Sequence, residues 1–214
     1  MPAAVSERTD SIQSHEKYDR DGAFHWDAFR RPTLYRNHAL FLLETIREHP
    51  VLDVGCGDGV IAWLLSADGV DISPTAVRMA REHGVPARVG SVYDPPPGPY
   101  AAVLLSDVLE HLQYPMKAIE AMAPVTRTLY VSVPFRVPFL YSEEWHYWHF
   151  TLSDLDALCT PLGWRRVWSH IGNLKTYAKY QRPRRLYLRD RWTRYLASAL
   201  RAWRGARPHG ALHG

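Results

Sequence analysis

Short apolar runs alternate with amphipathic stretches along the middle of the chain. Each apolar run is bounded by glycine, proline or polar residues, which is typical of buried strands. The predicted strands are 51–54, 69–72, 87–90, 101–105 and 128–133. The other stretches show helical spacing, and the predicted helices are 34–48, 60–65, 74–83 and 115–122. Strands and helices that alternate in this way indicate a parallel sheet with helices on both faces.

The pattern changes after the fifth strand. Residues 134–150 are rich in proline and aromatic residues and interrupt the alternation. A further helix is predicted from a cap at Ser153 to Cys159. A hairpin that adds an antiparallel edge strand is predicted from 165–171 and 175–180 around Gly172-Asn173.

Composition and charge divide the chain into three parts. Residues 1–50 mix aromatic and charged residues without a clean period and are predicted to form an N-terminal lid and helical segment. Residues 51–181 carry the strand–helix alternation and form one domain. Residues 182–214 hold nine arginines and one acidic residue and therefore carry a charge of +8. The other residues carry −4, which gives the net charge of +4 for the whole chain. Apolar residues recur in this last part at helical spacing, which predicts a basic amphipathic helix and tail.

This distribution of charge limits the partners. A mildly acidic body gives no reason to expect nucleic-acid binding. The basic helix has two open interpretations. It packs on the domain or on a second copy of the chain, or it binds peripherally to an anionic membrane surface.

Composition also excludes several classes of protein. The chain of 214 residues has 46% hydrophobic and 22% charged residues, which is ordinary for a globular domain. No apolar run approaches the roughly 18 residues of a membrane span. Its two cysteines, Cys56 and Cys159, supply neither a disulfide framework nor a CxxC zinc motif. Because no secretory signal is visible either, we expect a cytoplasmic protein.

A glycine-rich loop joins the first predicted strand to the next helix. Gly55, Gly57 and Gly59 lie within five residues, so the backbone can turn sharply and approach a ligand without a Cβ in the way. The spacing G-x-G-x-G differs from the G-x-G-x-x-G of dinucleotide-binding loops, which disfavours a nicotinamide enzyme. Asp53 before the loop suits a ligand with an ammonium group. Asp71, at the end of the second strand, suits ribose hydroxyls.

Three segments in this order resemble the signature blocks of class I S-adenosylmethionine-dependent methyltransferases. They are Val-Leu-Asp-Val-Gly-Cys-Gly-Asp-Gly at 51–59, Val-Asp-Ile-Ser at 70–73 and Ser-Asp-Val-Leu-Glu-His-Leu at 106–112. The resemblance implies an α/β, Rossmann-like, doubly wound fold. Its sheet has seven strands, mostly parallel with one antiparallel, between two helical layers. The segments 129–134 and 149–159 are further similar to the MetW-like branch.

The resemblance also implies which residues bind S-adenosylmethionine. Asp53, Gly55 and Gly57 would line its methionine end, Asp71 and Ile72 its ribose, and Ser91 and Val92 its adenine. Ser106 would lie near the transferred methyl group. Such enzymes commonly carry an acid where this chain has Ser91, and Asp94 is an alternative partner for the adenine. Cys56 is assigned to packing.

Three histidines are candidates for the catalytic base, because histidine is the usual proton acceptor near pH 7. They are His111, after the fourth strand, and His146 and His149 in the proline- and aromatic-rich segment. An alternative is a metal site of Asp107, Glu110, His111 and either His146 or His149, loosely similar to small-RNA 2′-O-methyltransferases. We assign no metal, because Asp107 replaces a glutamate of that pattern and the body of the chain is acidic.

Aromatic residues are candidates for a lid and for the acceptor pocket. Tyr18, His25 and Trp26 are predicted to close over the cofactor. A partly apolar acceptor is suggested by Phe135, Phe139, Tyr141, Trp145 and Trp148.

The predicted function is therefore S-adenosylmethionine-dependent methylation of a small molecule at oxygen. The alternative, which the MetW-like resemblance allows, is a cofactor-binding regulator that activates a partner acyltransferase without catalysing methyl transfer.

Overall fold

A seven-stranded sheet runs through the centre of the protein. The computed structural model describes residues 12–135 and 146–205. The strands are β1 (Val51–Val54), β2 (Asp68–Asp71), β3 (Ala87–Val89), β4 (Ala102–Ser106), β5 (Thr128–Pro134), β6 (Arg165–Gly172) and β7 (Lys175–Gln181). They lie side by side in the order β3-β2-β1-β4-β5-β7-β6. The predicted Rossmann-like fold with a seven-stranded, mostly parallel sheet is confirmed.

Helices cover both faces of this sheet. They are α1 (Ile12–Asp21), α2 (Phe24–Phe29), α3 (Leu34–Thr45), α4 (Val60–Leu64), α5 (Pro74–Glu82), α6 (Pro115–Met122), α7 (Leu152–Cys159) and α8 (Arg184–Gly205). Short 3-10 turns occupy Leu109–His111 and Thr160–Leu162. Within the described parts of the chain, no helix combines the length and the apolar character that crossing a membrane requires.

The central strands are buried on both faces because each face packs against its own layer of helices. Leu52 and Leu129 point into the apolar cluster that α6 and α7 complete. Val51 and Leu104 point into the opposite cluster, which α3, α4 and α5 complete. The alternation of neighbouring residues between two clusters produces the three-layer arrangement.

The C-terminal hairpin differs from its prediction in two ways. β7 pairs antiparallel with both β5 and β6, so it lies inside the sheet and β6 forms the edge. The turn residues are Asn173 and Leu174, both with positive φ, instead of Gly172-Asn173. As a result Lys175 lies opposite Pro134, at the carboxyl end of β5. The antiparallel strand thereby delivers a lysine to the edge where the parallel strands end.

The helix caps were predicted correctly for α5 and incorrectly for α7. The Ser73 side chain accepts a hydrogen bond from the N–H of Ala76, and Pro74 opens α5 as expected. α7 begins two residues early, with Thr151 as its cap instead of Ser153. Thr151 is the cap because its side chain and that of Asp154 form a reciprocal capping box, which satisfies two backbone N–H donors.

Candidate active site

The carboxyl ends of five strands open into a cavity of about 600 Å³. The residues at or just beyond these ends that line it are Gly55, Asp71, Ile72, Gly90, Ser91, Val92, Asp107, Val108 and Pro134. Helices α1, α2 and α3 contribute a further wall, which includes Tyr18, His25 and Tyr35. This edge of an open α/β sheet is where ligands generally bind.

The glycine loop adopts a backbone conformation that other residues enter only with strain. Gly55, Gly57 and Gly59 have φ angles of +82°, +55° and +91°. The N–H of Gly55 donates to the carbonyl of Val70 at 2.7 Å, which ties the loop to β2. A Cβ on Gly55 would overlap the side chain of Val108. The loop therefore presents bare backbone to the cavity at Gly55.

Asp71 connects this loop to the start of α5. Its carboxylate accepts hydrogen bonds from the N–H of Gly57 at 2.9 Å and from the N–H of Ser73 at 2.8 Å. These bonds fix the carboxylate at the edge of the cavity, where a charged oxygen is able to accept a hydrogen bond from a ligand hydroxyl. Asp71 lines the cavity together with its neighbour Ile72.

Asp53 and Gly57, two of the predicted cofactor residues, lie one layer behind the cavity wall. Asp53 is buried, and this burial together with the Asp71 carboxylate raises the pKa of Asp53 to about 7. The hydroxyl of Tyr18 lies directly over Gly57. Asp53 and Gly57 therefore influence the shape of the cavity only indirectly, through the position of the glycine loop.

The part of the cavity wall that follows β3 contains the residues predicted to contact the adenine of the cofactor. Ser91 and Val92 line the cavity, and the Ser91 hydroxyl accepts a hydrogen bond from the N–H of Tyr93 at 3.1 Å. Asp94 is 89% exposed and forms an ion pair with Arg194 of α8 at 3.0 Å. The alternative adenine partner Asp94 is therefore not part of this wall.

The N-terminal helices are fastened to the glycine loop through Asp58. The Asp58 carboxylate accepts a hydrogen bond from the N–H of His25 at 3.0 Å and lies 3.1 Å from His25 Nδ1. The Asp58 carbonyl accepts from the indole N–H of Trp26 at 2.8 Å. Tyr18 and His25 line the cavity, while Trp26 anchors α2 from a buried position. Sequence reasoning missed Asp58, although a charged residue within a glycine loop is a usable signal.

A buried polar network lies behind the end of β4. Ser106 Oγ lies 2.9 Å from His38 Nε2 and 3.0 Å from Ser132 Oγ, and it is absent from the cavity lining. His38 Nδ1 lies 3.0 Å from the Tyr177 hydroxyl. Burial lowers the pKa of His38 to about 4, so its ring is neutral at pH 7. The network connects α3 to three strands and places Ser106 in the scaffold of the site.

An ion pair joins the cavity wall between β4 and β7. Lys175 Nζ lies 2.6 Å from Asp107 Oδ2. Burial acts to raise the pKa of Asp107, but the Lys175 ammonium holds that pKa below its ordinary value. The two charges therefore compensate each other inside the wall. Lys175, which sequence reasoning missed, reaches this position because β7 runs antiparallel.

Glu110, His111 and His146 form a cluster on the same cavity. One ligand atom from each lies within 4.8 Å of the others. The Glu110 carboxyl is 1% exposed, and neither of its oxygens has a hydrogen-bond partner among the described residues. Burial and the Asp107 charge raise the pKa of Glu110 well above its ordinary value. Burial and the neighbouring His111 lower the pKa of His146 to about 4. At pH 7 the cluster thus holds an unprotonated imidazole at His146, beside a carboxyl group at Glu110 whose pKa is raised.

His149 lies outside this cluster. It is exposed, and its ring centroid is 6.1 Å from that of His146 in an edge-on contact. Among the residues of the alternative metal site, Asp107 is paired with Lys175 and His149 is displaced, so Glu110, His111 and His146 remain as potential ligands.

Among the described residues, the aromatic side chains that line the cavity come from the N-terminal helices and from the segment after β3. Phe135 and Trp148 do not line the cavity. Phe139, Tyr141 and Trp145 lie outside the described residues. The described aromatic residues that line it are Tyr18, Phe24, Tyr35 and Tyr93.

Comparison with known proteins identifies the family. The methyltransferase domain family matches residues 26–211, which is most of the chain. The chain belongs to this family. A ubiquinone biosynthesis O-methyltransferase of Xanthomonas campestris pv. campestris is 34% identical to this methyltransferase over 105 residues, which cover 41% of this chain and 44% of that protein. The chain thus matches less than half the length of this curated relative.

Solved structures share the fold of this methyltransferase. An O-methyltransferase family protein from Burkholderia thailandensis matches with a TM-score of 0.65 and 17% identity, over 82% of this chain and 65% of that one. A SAM-dependent methyltransferase from Thermotoga maritima, described as a possible histamine N-methyltransferase, matches with a TM-score of 0.64 and 17% identity, over 79% of this chain and 100% of that one.

These matches confirm the resemblance to class I S-adenosylmethionine-dependent methyltransferases and the predicted cofactor. The cavity fits that cofactor, because bare backbone at Gly55, the Asp71 carboxylate and the Ser91 hydroxyl all line it. The MetW-like branch stays a prediction.

Proposed function

We propose that this methyltransferase moves the methyl group of S-adenosylmethionine to an oxygen atom of a small-molecule acceptor. The observation that carries the proposal is one cavity lined by the glycine loop and Asp71 as well as by the cluster of Glu110, His111 and His146. Transfer to a hydroxyl group needs the donor and acceptor held in line, with a proton acceptor beside them.

The cofactor roles follow from the position of each residue. Asp71 accepts hydrogen bonds from the ribose hydroxyls, with Ile72 packed beside it, and Gly55 faces the methionine end. Ser91 and Val92 contact the adenine. Asp53, Gly57 and Ser106 position these walls from behind, since none of the three lines the cavity.

His111 and His146 are the proposed proton acceptors. S-adenosylmethionine supplies, when bound, a methyl group made electrophilic by its sulfonium. The protein holds the acceptor hydroxyl near an imidazole, which takes up the departing proton. Burial keeps His146 in this unprotonated form at pH 7. His149 touches the His146 ring edge-on and is proposed to orient it.

Oxygen as the acceptor atom is supported by the relatives. Both the Xanthomonas relative and the Burkholderia structure are named O-methyltransferases. The Thermotoga structure is described as a possible histamine N-methyltransferase, so the fold by itself does not select the atom. An unprotonated imidazole on the cavity favours oxygen, because a hydroxyl acceptor must be deprotonated during transfer.

Turnover with defined acceptors tests this proposal. Purified protein would be incubated with S-adenosylmethionine and panels of hydroxylated or amine-bearing small molecules, and S-adenosylhomocysteine would be measured by mass spectrometry. We expect product from hydroxylated acceptors and none from a variant that combines His111→Ala with His146→Ala and still binds the cofactor. Cofactor binding without turnover, in the panels and in a cell extract, would instead support the non-catalytic regulator of a partner acyltransferase.

A further inference from the structure

Helix α8 is held on the protein by one face. Tyr187 on this face is buried. Arg194 pairs with Asp94 at 3.0 Å, and Asp190 pairs with the buried Arg182 at 2.7 Å. These contacts fix the orientation of the helix. One of them uses Asp190, the single acidic residue of 182–214.

A stripe of large apolar side chains lies on the other face of α8. Leu188, Trp192, Tyr195 and Leu196 are 38%, 63%, 64% and 57% exposed. Their spacing places them within an arc of about 100°, roughly opposite the face that Tyr187 and Arg194 occupy. We call these four residues the outer stripe. Exposed apolar side chains scattered singly are normal, but a continuous stripe that includes tryptophan and tyrosine marks an interaction surface.

Arginines border the outer stripe. By helical geometry Arg184 and Arg191 lie along one side, Arg185 within it and Arg189 along the other. All four side chains are exposed. Among the described residues, no ion pair involves Arg184, Arg185 or Arg191. The surface therefore combines apolar side chains with three cationic groups, those of Arg184, Arg185 and Arg191, that pair with no carboxylate among the described residues.

This combination selects one class of partner. A second copy of the chain would bring arginines of the same sign face to face, which is unfavourable. A bilayer rich in anionic lipids instead offers acyl chains to the apolar stripe and phosphates to the arginines. Tryptophan and tyrosine favour the depth of the headgroups, and long arginine side chains extend from an apolar face to the charged surface. A helix of 22 residues with these properties suits a position in the plane of the interface.

We propose that the outer stripe of α8 docks this methyltransferase on an anionic lipid surface. The helix lies in the headgroup region with Leu188, Trp192, Tyr195 and Leu196 facing the acyl chains. Its opposite face keeps the contacts to the domain. The docking is independent of which small molecule accepts the methyl group.

Co-sedimentation of the full chain with vesicles tests the docking. The vesicles contain phosphatidylcholine alone or phosphatidylcholine mixed with phosphatidylglycerol, each at low and high salt. We expect binding to the mixed vesicles at low salt, weaker binding at high salt, and little binding to phosphatidylcholine alone, because the arginines contribute by electrostatic attraction. The double variant Trp192→Ser, Leu196→Ser should bind the mixed vesicles roughly tenfold more weakly or worse.

A matched variant controls for the loss of exposed apolar area. Val167 and Ile171 of the edge strand β6 are 53% and 50% exposed, and both lie outside α8. We expect Val167→Ser, Ile171→Ser to bind the mixed vesicles like the unmodified chain. Equal binding by all three proteins, or no binding by the unmodified chain at low salt, would overturn the proposal. So would light scattering that shows a dimer which the α8 variant dissolves, because the partner of the stripe would then be a second copy.

Discussion

The wall of the cavity that we propose for the cofactor and the wall that we propose for the acceptor, called here the cofactor wall and the acceptor wall, are built in opposite ways. The cofactor wall is largely backbone, with the glycine loop held by Asp71 through N–H groups nearby in the chain. The acceptor wall assembles the side chains of Glu110, His146 and Lys175 from separate segments. The first depends on main-chain geometry and the second on protonation. Substitution and pH should therefore affect the two walls separately.

Removal of the proposed catalytic base should produce the largest effect. This effect should appear in turnover and not in cofactor binding, because the base lies on the acceptor wall. We expect His146→Gln to lower kcat/KM by about 10²-fold or more, the usual contribution of general-base catalysis. Affinity for S-adenosylhomocysteine, measured by calorimetry, should not change. His170→Gln is the matched control, since His170 is exposed on the edge strand β6 and does not line the cavity. A large loss from His170→Gln with none from His146→Gln would place the base outside the cavity.

A change at Asp71 should act on the cofactor wall. We expect Asp71→Ala to weaken S-adenosylhomocysteine binding by roughly 10- to 100-fold, because each hydrogen bond to a charged group contributes about 1.5–3 kcal/mol. Calorimetry measures the affinity, and a melting curve checks that the loop stays folded. Asp68→Ala, at the other end of β2, should bind normally. Unchanged affinity in Asp71→Ala would contradict the assignment of the ribose to this wall.

The pH profile of the reaction tests which proton acceptor operates. A base acts only when unprotonated, so activity falls as the pH drops through its pKa. Because the pKa of His146 is lowered to about 4, kcat/KM should stay level down to about pH 5 if His146 is the base. A histidine with an ordinary pKa would lose activity below about pH 6.5. Stability over the same range should be followed by circular dichroism. A fall centred near pH 6.5 in a folded enzyme would exclude His146 as the sole base.

Two glycines with the same backbone angle make it possible to distinguish the cost of a left-handed backbone from the cost of steric overlap with Val108. Gly55 and Gly84 both have a φ of +82°. An added Cβ would overlap Val108 at Gly55 and meets nothing within 4 Å at Gly84. We expect Gly84→Ala to cost about 1–2 kcal/mol of unfolding free energy from the left-handed backbone alone, and Gly55→Ala to cost more. Urea denaturation measures both. Equal losses would show that Val108 moves aside and that overlap contributes nothing.

The smallest effect is expected from a chelator. Because the acceptor wall is assigned a proton-transfer role without a metal, EDTA should leave turnover unchanged. Loss of activity that Mn²⁺ or Mg²⁺ restores, together with retention of a metal by the protein in elemental analysis, would favour the alternative in which Glu110, His111 and His146 bind an ion.

Prediction from the chain succeeded where the signal was local. The strands β1 and β4 and the helices α5 and α6 follow from short apolar runs and helical spacing within a few residues. The start of α7 was misplaced because Thr151 and Ser153 are both good caps. The choice between them depended on whether Asp154 could close a capping box. Placing β7 inside the sheet required knowing which strand it pairs with, and periodicity contains no such information.

The same distinction between local and long-range contacts applies to the cofactor wall and the acceptor wall. The chain by itself determined the glycine loop and the placing of Asp71, because both are set by turn geometry and hydrogen bonds within residues 51–73. Tertiary structure alone decided that Asp58 fastens the N-terminal helices from 33 residues away, and that Lys175 pairs with Asp107 across 68 positions. It also decided that His38 meets Tyr177 across 139 positions. Such contacts depend on how helices pack and which strands become neighbours, and burial in that packing is what shifts the pKa values of the residues on the acceptor wall.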